Sequence, residues 1–316
     1  MKKSAKKKPA KKKAANVHIG SMIKSRRSNF RLSQEELCFG ICTASNLSKI
    51  ENGQLLPTRG TFEALMERLG MNHEMYPSYL SNVDEAIYNL QHDFNEHYSC
   101  GNLTEACETL AKLDAIRELD MTHEHFVRLS KLLVESKKGM AIDKQLKEYA
   151  NAIKLFAKDF SLEKIRFGCF TKTELNVINA FALRLHKSGD ENMPIKVLYE
   201  LLKWIDNHTD DIDLYVVVYT KLLYNLSTFV GRIGDDAEVL KLCDTGIELC
   251  LRYGKYKYLA GLLFNKGYVL VNTGRIDEAH VCIRQCYYLE SAGGEGSKDD
   301  LKFTRDFAQK IGLTLE

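Results

Sequence analysis

From Val83 to Glu316 the chain contains a single proline, Pro194, and it falls where a helix could begin. Over that stretch of more than 230 residues, apolar side chains recur at helical spacing almost to the end. A segment so long and so poor in the residue that breaks helices is read as helices throughout. Glycines punctuate it. Three of them precede short acidic turns: Gly101-Asn-Leu-Thr-Glu-Ala106, Gly234-Asp-Asp-Ala-Glu-Val239 and Gly274-Arg-Ile-Asp-Glu-Ala279. Gly139 and Gly189 mark two less regular turns, and the intervals are 38, 50, 45 and 40 residues. The pattern predicts five helix pairs at about 83–118, 122–158, 171–207, 212–253 and 256–291. A closing helix at about 297–312 covers the apolar face that the last pair would otherwise leave open.

The N-terminal part is organised around Leu32 to Gly53. Ser33 followed by Glu36 is a capping box that starts a short helix with Leu37, Cys38 and Ile41 on its apolar side. Thr43 can cap a second helix in which Leu47 and Ile50 point inward, and Asn52-Gly53 stops it. Ile19 to Phe30 forms a helix before this pair, with Ile19, Met22 and Ile23 on one face. Pro57 and Thr58 lead into another, with Phe62, Leu65, Met66 and Leu69 inward and Gly70 at its end. Asn72 to Leu80 is a final short helix or linker. Two short helices joined by a tight turn, the second showing small polar side chains and one lysine, are the pattern of a helix-turn-helix DNA reader.

Ser33-Gln34-Glu35-Glu36-Leu37 and Leu47-Ser48-Lys49-Ile50-Glu51-Asn52-Gly53 resemble the Cro/CI-type (XRE) helix-turn-helix, and the turn Gly40-Ile41-Cys42 is similar to the variant of PlcR-like regulators. The resemblance implies an Arg27–Glu51 bridge that fixes the helices. Farther on, Asn265-Lys-Gly267, Leu270, Gly274 and Ala279 resemble the tetratricopeptide order, although the intervals are longer than its usual period of about 34 residues. The expected fold is all-α: a five-helix XRE domain at 17–80, then a right-handed superhelix of about five tetratricopeptide-like pairs with a capping helix at 83–316. A generic all-helical domain is the competing architecture.

Charge is unevenly placed. Eight lysines lie among residues 1–16 with no acid, and without them 37 basic residues face 42 acidic ones. This Lys/Ala/Pro-rich tail has nothing to bury and is expected to be disordered. It reads equally as an electrostatic arm for DNA phosphates or as a solubilising leader. Nine cysteines without a C-x-x-C pair point to reduced thiols in a cytosol rather than to a disulfide frame or zinc site. No secretory signal is visible. The most apolar stretch, Leu214 to Gly231, contains Lys221 and Asn225 and reads as a buried helix, not a membrane span.

On the second helix of the pair, Thr43 stands at the cap, Ala44, Ser45, Ser48 and Lys49 are free to point into a major groove, and Asn46 lies toward the edge. Serine bonds donors or acceptors, Ala44 suits a thymine methyl, and Lys49 suits guanine or a phosphate. The XRE resemblance gives Gln34 a backbone-phosphate contact, with Lys24 and Asn52 as weaker phosphate candidates. The alternative for each is a polar side chain facing solvent. One such helix reads few base pairs, so a homodimer on paired half-sites is expected.

Asn225 and Asn265 lie nine residues before Gly234 and Gly274, and Asn179 ten before Gly189. This puts them at matching places on the first helices of successive pairs. An asparagine amide both donates and accepts, so such a row can hold the backbone of an extended peptide. Tyr224, Phe264 and Tyr268 could form pockets for its side chains. Asparagine there also belongs to the general tetratricopeptide consensus. From residue 17 to the end, the helix-turn-helix, the irregular repeats and these asparagines resemble the Rap–Rgg–NprR–PlcR–PrgX group of peptide-pheromone receptors. That resemblance implies a cytoplasmic, homodimeric transcription regulator that binds double-stranded DNA and a short linear signalling peptide. No catalytic residue, metal site or cofactor is expected: His123-Glu-His125 is two apart, unlike the four-apart pair of a zinc protease, and there is no phosphate loop. The alternatives are repeats that hold a protein partner, or a Rap-like phosphatase-type enzyme.

Overall fold

A computed structural model of the chain describes residues 10–72, 82–116, 120–158, 160, 169–209, 212–292 and 298–315, with the backbone alone at 10–18, 82–84 and 298. Among the described residues there are fifteen α-helices, one 3-10 turn and no strand. Four helices form the N-terminal part: α1 (Ala10–Asn29), α2 (Gln34–Cys38), α3 (Ala44–Glu51) and α4 (Arg59–Arg68). The α1 helix starts nine residues before the expected Ile19, so part of the lysine-rich segment is helical. The proposed helix or linker after Asn72 lies outside the described residues.

The caps work as local chemistry dictates. Ser33 accepts from the Glu36 amide while the Glu36 carboxylate accepts from the Ser33 amide, and Thr43 accepts from the Asn46 amide. Gly53 takes a left-handed φ of 68° after α3. Ile23, Leu37, Ile41, Leu47, Ile50, Phe62, Leu65, Met66 and Leu69 are buried together as one core.

The remaining helices run in pairs: α5 (Asn82–Ser99) with α6 (Leu103–Asp114), α7 (Met121–Lys137) with α8 (Ile142–Ile153), and α9 (Lys172–Lys187) with α10 (Asn192–His208). Then come α11 (Val216–Arg232) with α12 (Asp236–Tyr253), α13 (Leu259–Asn272) with α14 (Ile276–Ala292), and the closing α15 (Lys298–Lys310). Each first helix ends at one of the five turn glycines, all with positive φ. A continuous core runs from α7 to α14, and Ala308 and Leu313 close it against Ile283. The apolar stretch before Gly231 is α11, a buried helix, and among the described residues no helix is long and apolar enough to cross a membrane.

The four N-terminal helices sit directly on the repeats. Arg68, 1% exposed, donates to the Glu174 carboxylate at the head of α9 (2.7 and 3.3 Å) and to the carbonyls of Leu37 (3.0 Å) and Phe39 (2.6 Å) at the end of α2. Glu67 accepts from the Lys172 amide (2.9 Å), and its own carbonyl accepts from the Tyr215 hydroxyl (2.6 Å). His208 donates to the Arg68 carbonyl and is stacked between Phe30 (4.8 Å) and Trp204 (4.2 Å). Thr58 and Thr61 donate to Asp120, the N-cap of α7. Backbones meet closely: a Cβ on Gly70 would lie 2.6 Å from the His208 carbonyl oxygen, and one on Gly40 2.8 Å from that of Leu155. Only glycine fits there.

Candidate functional site

The first candidate surface is the open side of α3. Leu47 and Ile50 anchor it in the core, and among the described residues the opposite side stays uncovered. Thr43, Ser45, Asn46, Lys49 and Asn52 are exposed, and Ala44 and Ser48 are half-buried beside them. Lys24 is exposed on α1. Lys49 makes no ion pair among the described residues. Such a face offers hydroxyl and amide groups and one free cation.

Behind it lies a polar clasp. Arg27 donates to both oxygens of Glu51 (2.6 and 3.0 Å) and to the Leu32 carbonyl (2.7 Å). The Gln34 amide donates to the same Glu51 (2.7 Å), so one of its two N–H donors is used inward, and the second N–H and the oxygen remain for another contact. Glu51 is buried and fully engaged. The clasp joins α1, α2 and α3 and fixes how far α3 projects.

The second candidate region is the inner side of the repeats. There the asparagines differ from the sequence expectation. Asn179 is 0% exposed and Asn225 is 8% exposed; the Asn225 amide donates to Asn179 Oδ1 at 2.9 Å. Asn265 donates to Ser227 Oγ and Thr228 Oγ1 (each 2.9 Å). Their carboxamides point at neighbouring helices and tie α9 to α11 and α11 to α13. The reason is geometric: where first helices touch, an amide reaches the next helix before it reaches open space. Among the described residues the NH2 group of Asn179 has no hydrogen-bond partner.

The aromatic side chains are also occupied. Tyr224 stacks on Tyr258 (6.1 Å) and covers Gly261. Phe264 lies against Phe303 and Phe307 of α15 (each 5.2 Å), and the exposed Tyr268 stands 5.6 Å from Phe307. The closing helix thus contributes its own aromatics where open pockets were expected.

An open cavity of about 530 Å³ lies nearer the N-terminal repeats. It is lined by α5, α7, α9, α11, Tyr149 of α8 and the residues just before α13, including Tyr98, Lys137, Asn176, Lys221, Lys257 and Tyr258. The sequence reading missed it, because its walls come from several helices far apart in the chain and no single segment carries it. Lys221, a charge inside the most apolar stretch, was the available signal. Burial and the neighbouring cations Lys257 and Arg184 push Lys221 down to about 8. The α9 helix belongs to both regions: Glu174 on its first turn holds Arg68, while Asn176 accepts from Lys221 at 2.9 Å.

No protein-family model and no curated protein sequence matches the chain. Solved structures do. PlcR from Bacillus thuringiensis, in complex with the peptide PapR7 and DNA, is similar with a TM-score of 0.56 at 16% identity, covering 93% of this chain and 99% of that one. ComR from Streptococcus vestibularis, with its cognate signalling peptide XIP, gives 0.51 at 16% identity over 95% and 100%. ComR from S. thermophilus, with DNA and its signalling peptide ComS, gives 0.50 at 18% identity over 93% and 100%. The likeness spans nearly the whole of each chain and establishes the all-helical fold.

Proposed function

We propose that the chain is a sequence-specific DNA-binding transcription regulator whose repeats sense a short signalling peptide. In this reading residues 17–80 are the DNA-binding domain, 83–316 the repeat domain, and 1–16 a basic arm. Ala44, Ser45, Ser48 and Lys49 face base edges, with Thr43 and Asn46 at the margin. Gln34, Lys24 and Asn52 face phosphates. The peptide lies along the first helices of the repeats. It reaches Asn179, Asn225 and Asn265 by exchanging their present bonds for its own, with Tyr224, Phe264 and Tyr268 alongside. The protein acts in the cytoplasm as a homodimer, and its work is binding rather than catalysis.

The observation that carries this reading is the continuity from α3 to the cavity. Arg68 grips the end of α2 and Glu174 together, and α9 continues from Glu174 to the cavity wall. A ligand that binds one setting of α9 better than another would shift the reading head by that differential affinity. A coupling of about 1–3 kcal/mol is sufficient for regulation. The fold shared with PlcR and ComR, solved with DNA and peptides, supports the same assignment.

The deciding experiment is to sequence the DNA retained by the purified full-length chain, with and without spent culture medium of the source cells. A single enriched motif, with occupancy altered by a protease-sensitive component of the medium, is expected. Retention of DNA with no enriched motif would reject the regulator assignment.

A further inference from the structure

The cavity between α5 and α13 has a charge imbalance that the fold does not explain. Three lysines, Lys137, Lys221 and Lys257, line it, and no aspartate or glutamate does. Some other lysines of the repeats have a carboxylate partner: Lys131 with Asp114, Lys172 with Glu67, Lys266 with Asp244. Here the acceptors are neutral. Lys221 donates to Asn176 Oδ1, and Lys137 donates to the Tyr98 carbonyl (3.0 Å) and lies 4.0 Å over the Tyr98 ring. Arg184, close behind, donates to Gln145 and to the Ala180 carbonyl and lies over Tyr149. Among the described residues no carboxylate pairs with Lys221 or Lys257.

A half-buried ammonium beside a second cation, with no counter-ion, is held at an energetic cost. The cost is removed if the occupant of the cavity brings the negative charge. We infer that this cavity binds a carboxylate group of the ligand, with Lys221 and Lys257 as its partners and the Tyr98 and Tyr258 rings flanking it. The inference rests on the proposal that the repeats bind a peptide and specifies its chemistry. The carboxylate is either the peptide's C-terminus or an aspartate or glutamate side chain.

The test uses the full-length protein and a random heptapeptide library in two forms, one with a free C-terminus and one C-terminally amidated. Retained peptides are identified by mass spectrometry. Retention of carboxylate-bearing peptides, reduced at least about tenfold by Lys221→Glu, is expected, as for the loss of one charge-assisted hydrogen bond. Loss of retention on amidation identifies the C-terminus. Enrichment of Asp or Glu in the amidated pool identifies a side chain. Retained peptides with no carboxylate preference and no response to Lys221→Glu would overturn the inference while leaving peptide binding intact. No retained peptide in either pool would overturn both. Lys221→Met controls for folding: with the uncompensated charge gone, its melting temperature should equal or exceed that of the parent, and a lower value would show that Lys221 is already satisfied without a ligand.

Discussion

Lys49 is the one cation on the open side of α3, and its charge is free to be used. In the proposed complex, Lys49→Ala weakens binding to the enriched motif by more than it weakens binding to scrambled DNA. Equal losses on the two in a fluorescence-anisotropy titration would reduce Lys49 to a phosphate contact. Arg68 is a different case, a buried cation with every bond made inside the protein. Arg68→Ala leaves the Glu174 carboxylate buried without its partner and should cost about 3–5 kcal/mol in urea unfolding. Arg68→Ala combined with Glu174→Ala should cost less than the sum of the two single changes, because the second removes the group that the first strands. Strict additivity would show that the two side chains act independently.

Among the elements, the seam between α4 and the repeats holds several groups whose protonation is tied to folding. Burial pushes the imidazoles of His125 and His208 below the ordinary histidine range. Glu174 and Glu124 oppose this at His125 while Arg68 and Arg128 add to it; at His208 the bond to the Arg68 carbonyl opposes it and Arg26 adds to it. Burial also works against the charge on Asp120, yet hydrogen bonds with His123, Thr122 and Thr58 hold its carboxyl well below the carboxylate range. All three groups bind protons less readily folded than unfolded. Their stabilisation is complete above the unfolded values and is lost as pH falls through the folded ones. The histidine share therefore begins to fall below about pH 6.5, and the aspartate share below about pH 4. Amide protection in 58–72, taken relative to the intrinsic exchange rate at each pH, should fall on acidification from neutral pH to about 5, before protection in α11 to α14 does. A His208→Gln variant with an unchanged pH profile would remove His208 from this account.

This seam also marks where reading the sequence stops. The caps at Ser33 and Thr43 and the inward residues of α2 to α4 are legible because each depends on neighbours three or four positions away. The five turn glycines are legible for the same reason. Arg68 and Glu174 lie 106 residues apart, and no local pattern announces that they meet. The asparagine row shows the same limit: its spacing puts Asn225 and Asn265 at equivalent positions, but the direction of each amide depends on how closely the next helix approaches. Phe264 looks like an open pocket until α15 brings Phe303 and Phe307 against it.

At the scale of the whole molecule, α3, the clasp behind it and α9 form one connected body, so in the proposed function α3 would move with the repeats. In a homodimer the separation of the two α3 helices is then set by the packing of helix pairs and not by a slack tether. In the proposed function the basic segment contributes separately. Removing residues 2–8, which leaves the start of α1 in place, takes away five lysines. It should weaken binding to all DNA sequences alike and flatten the salt dependence by up to about 0.9 in log–log slope for each phosphate that is no longer neutralised. A weakening confined to the enriched motif would instead give the arm a reading role.

Trp204 is the chain's one tryptophan, and it lies face to face on His208 where α4 meets the repeats. The indole is therefore a natural optical reporter of that junction. In the proposed function, a rearrangement that breaks the contacts of His208 with Phe30 and the Arg68 carbonyl would alter the ring stacked on the indole, and the emission would follow its timing in the unlabelled protein.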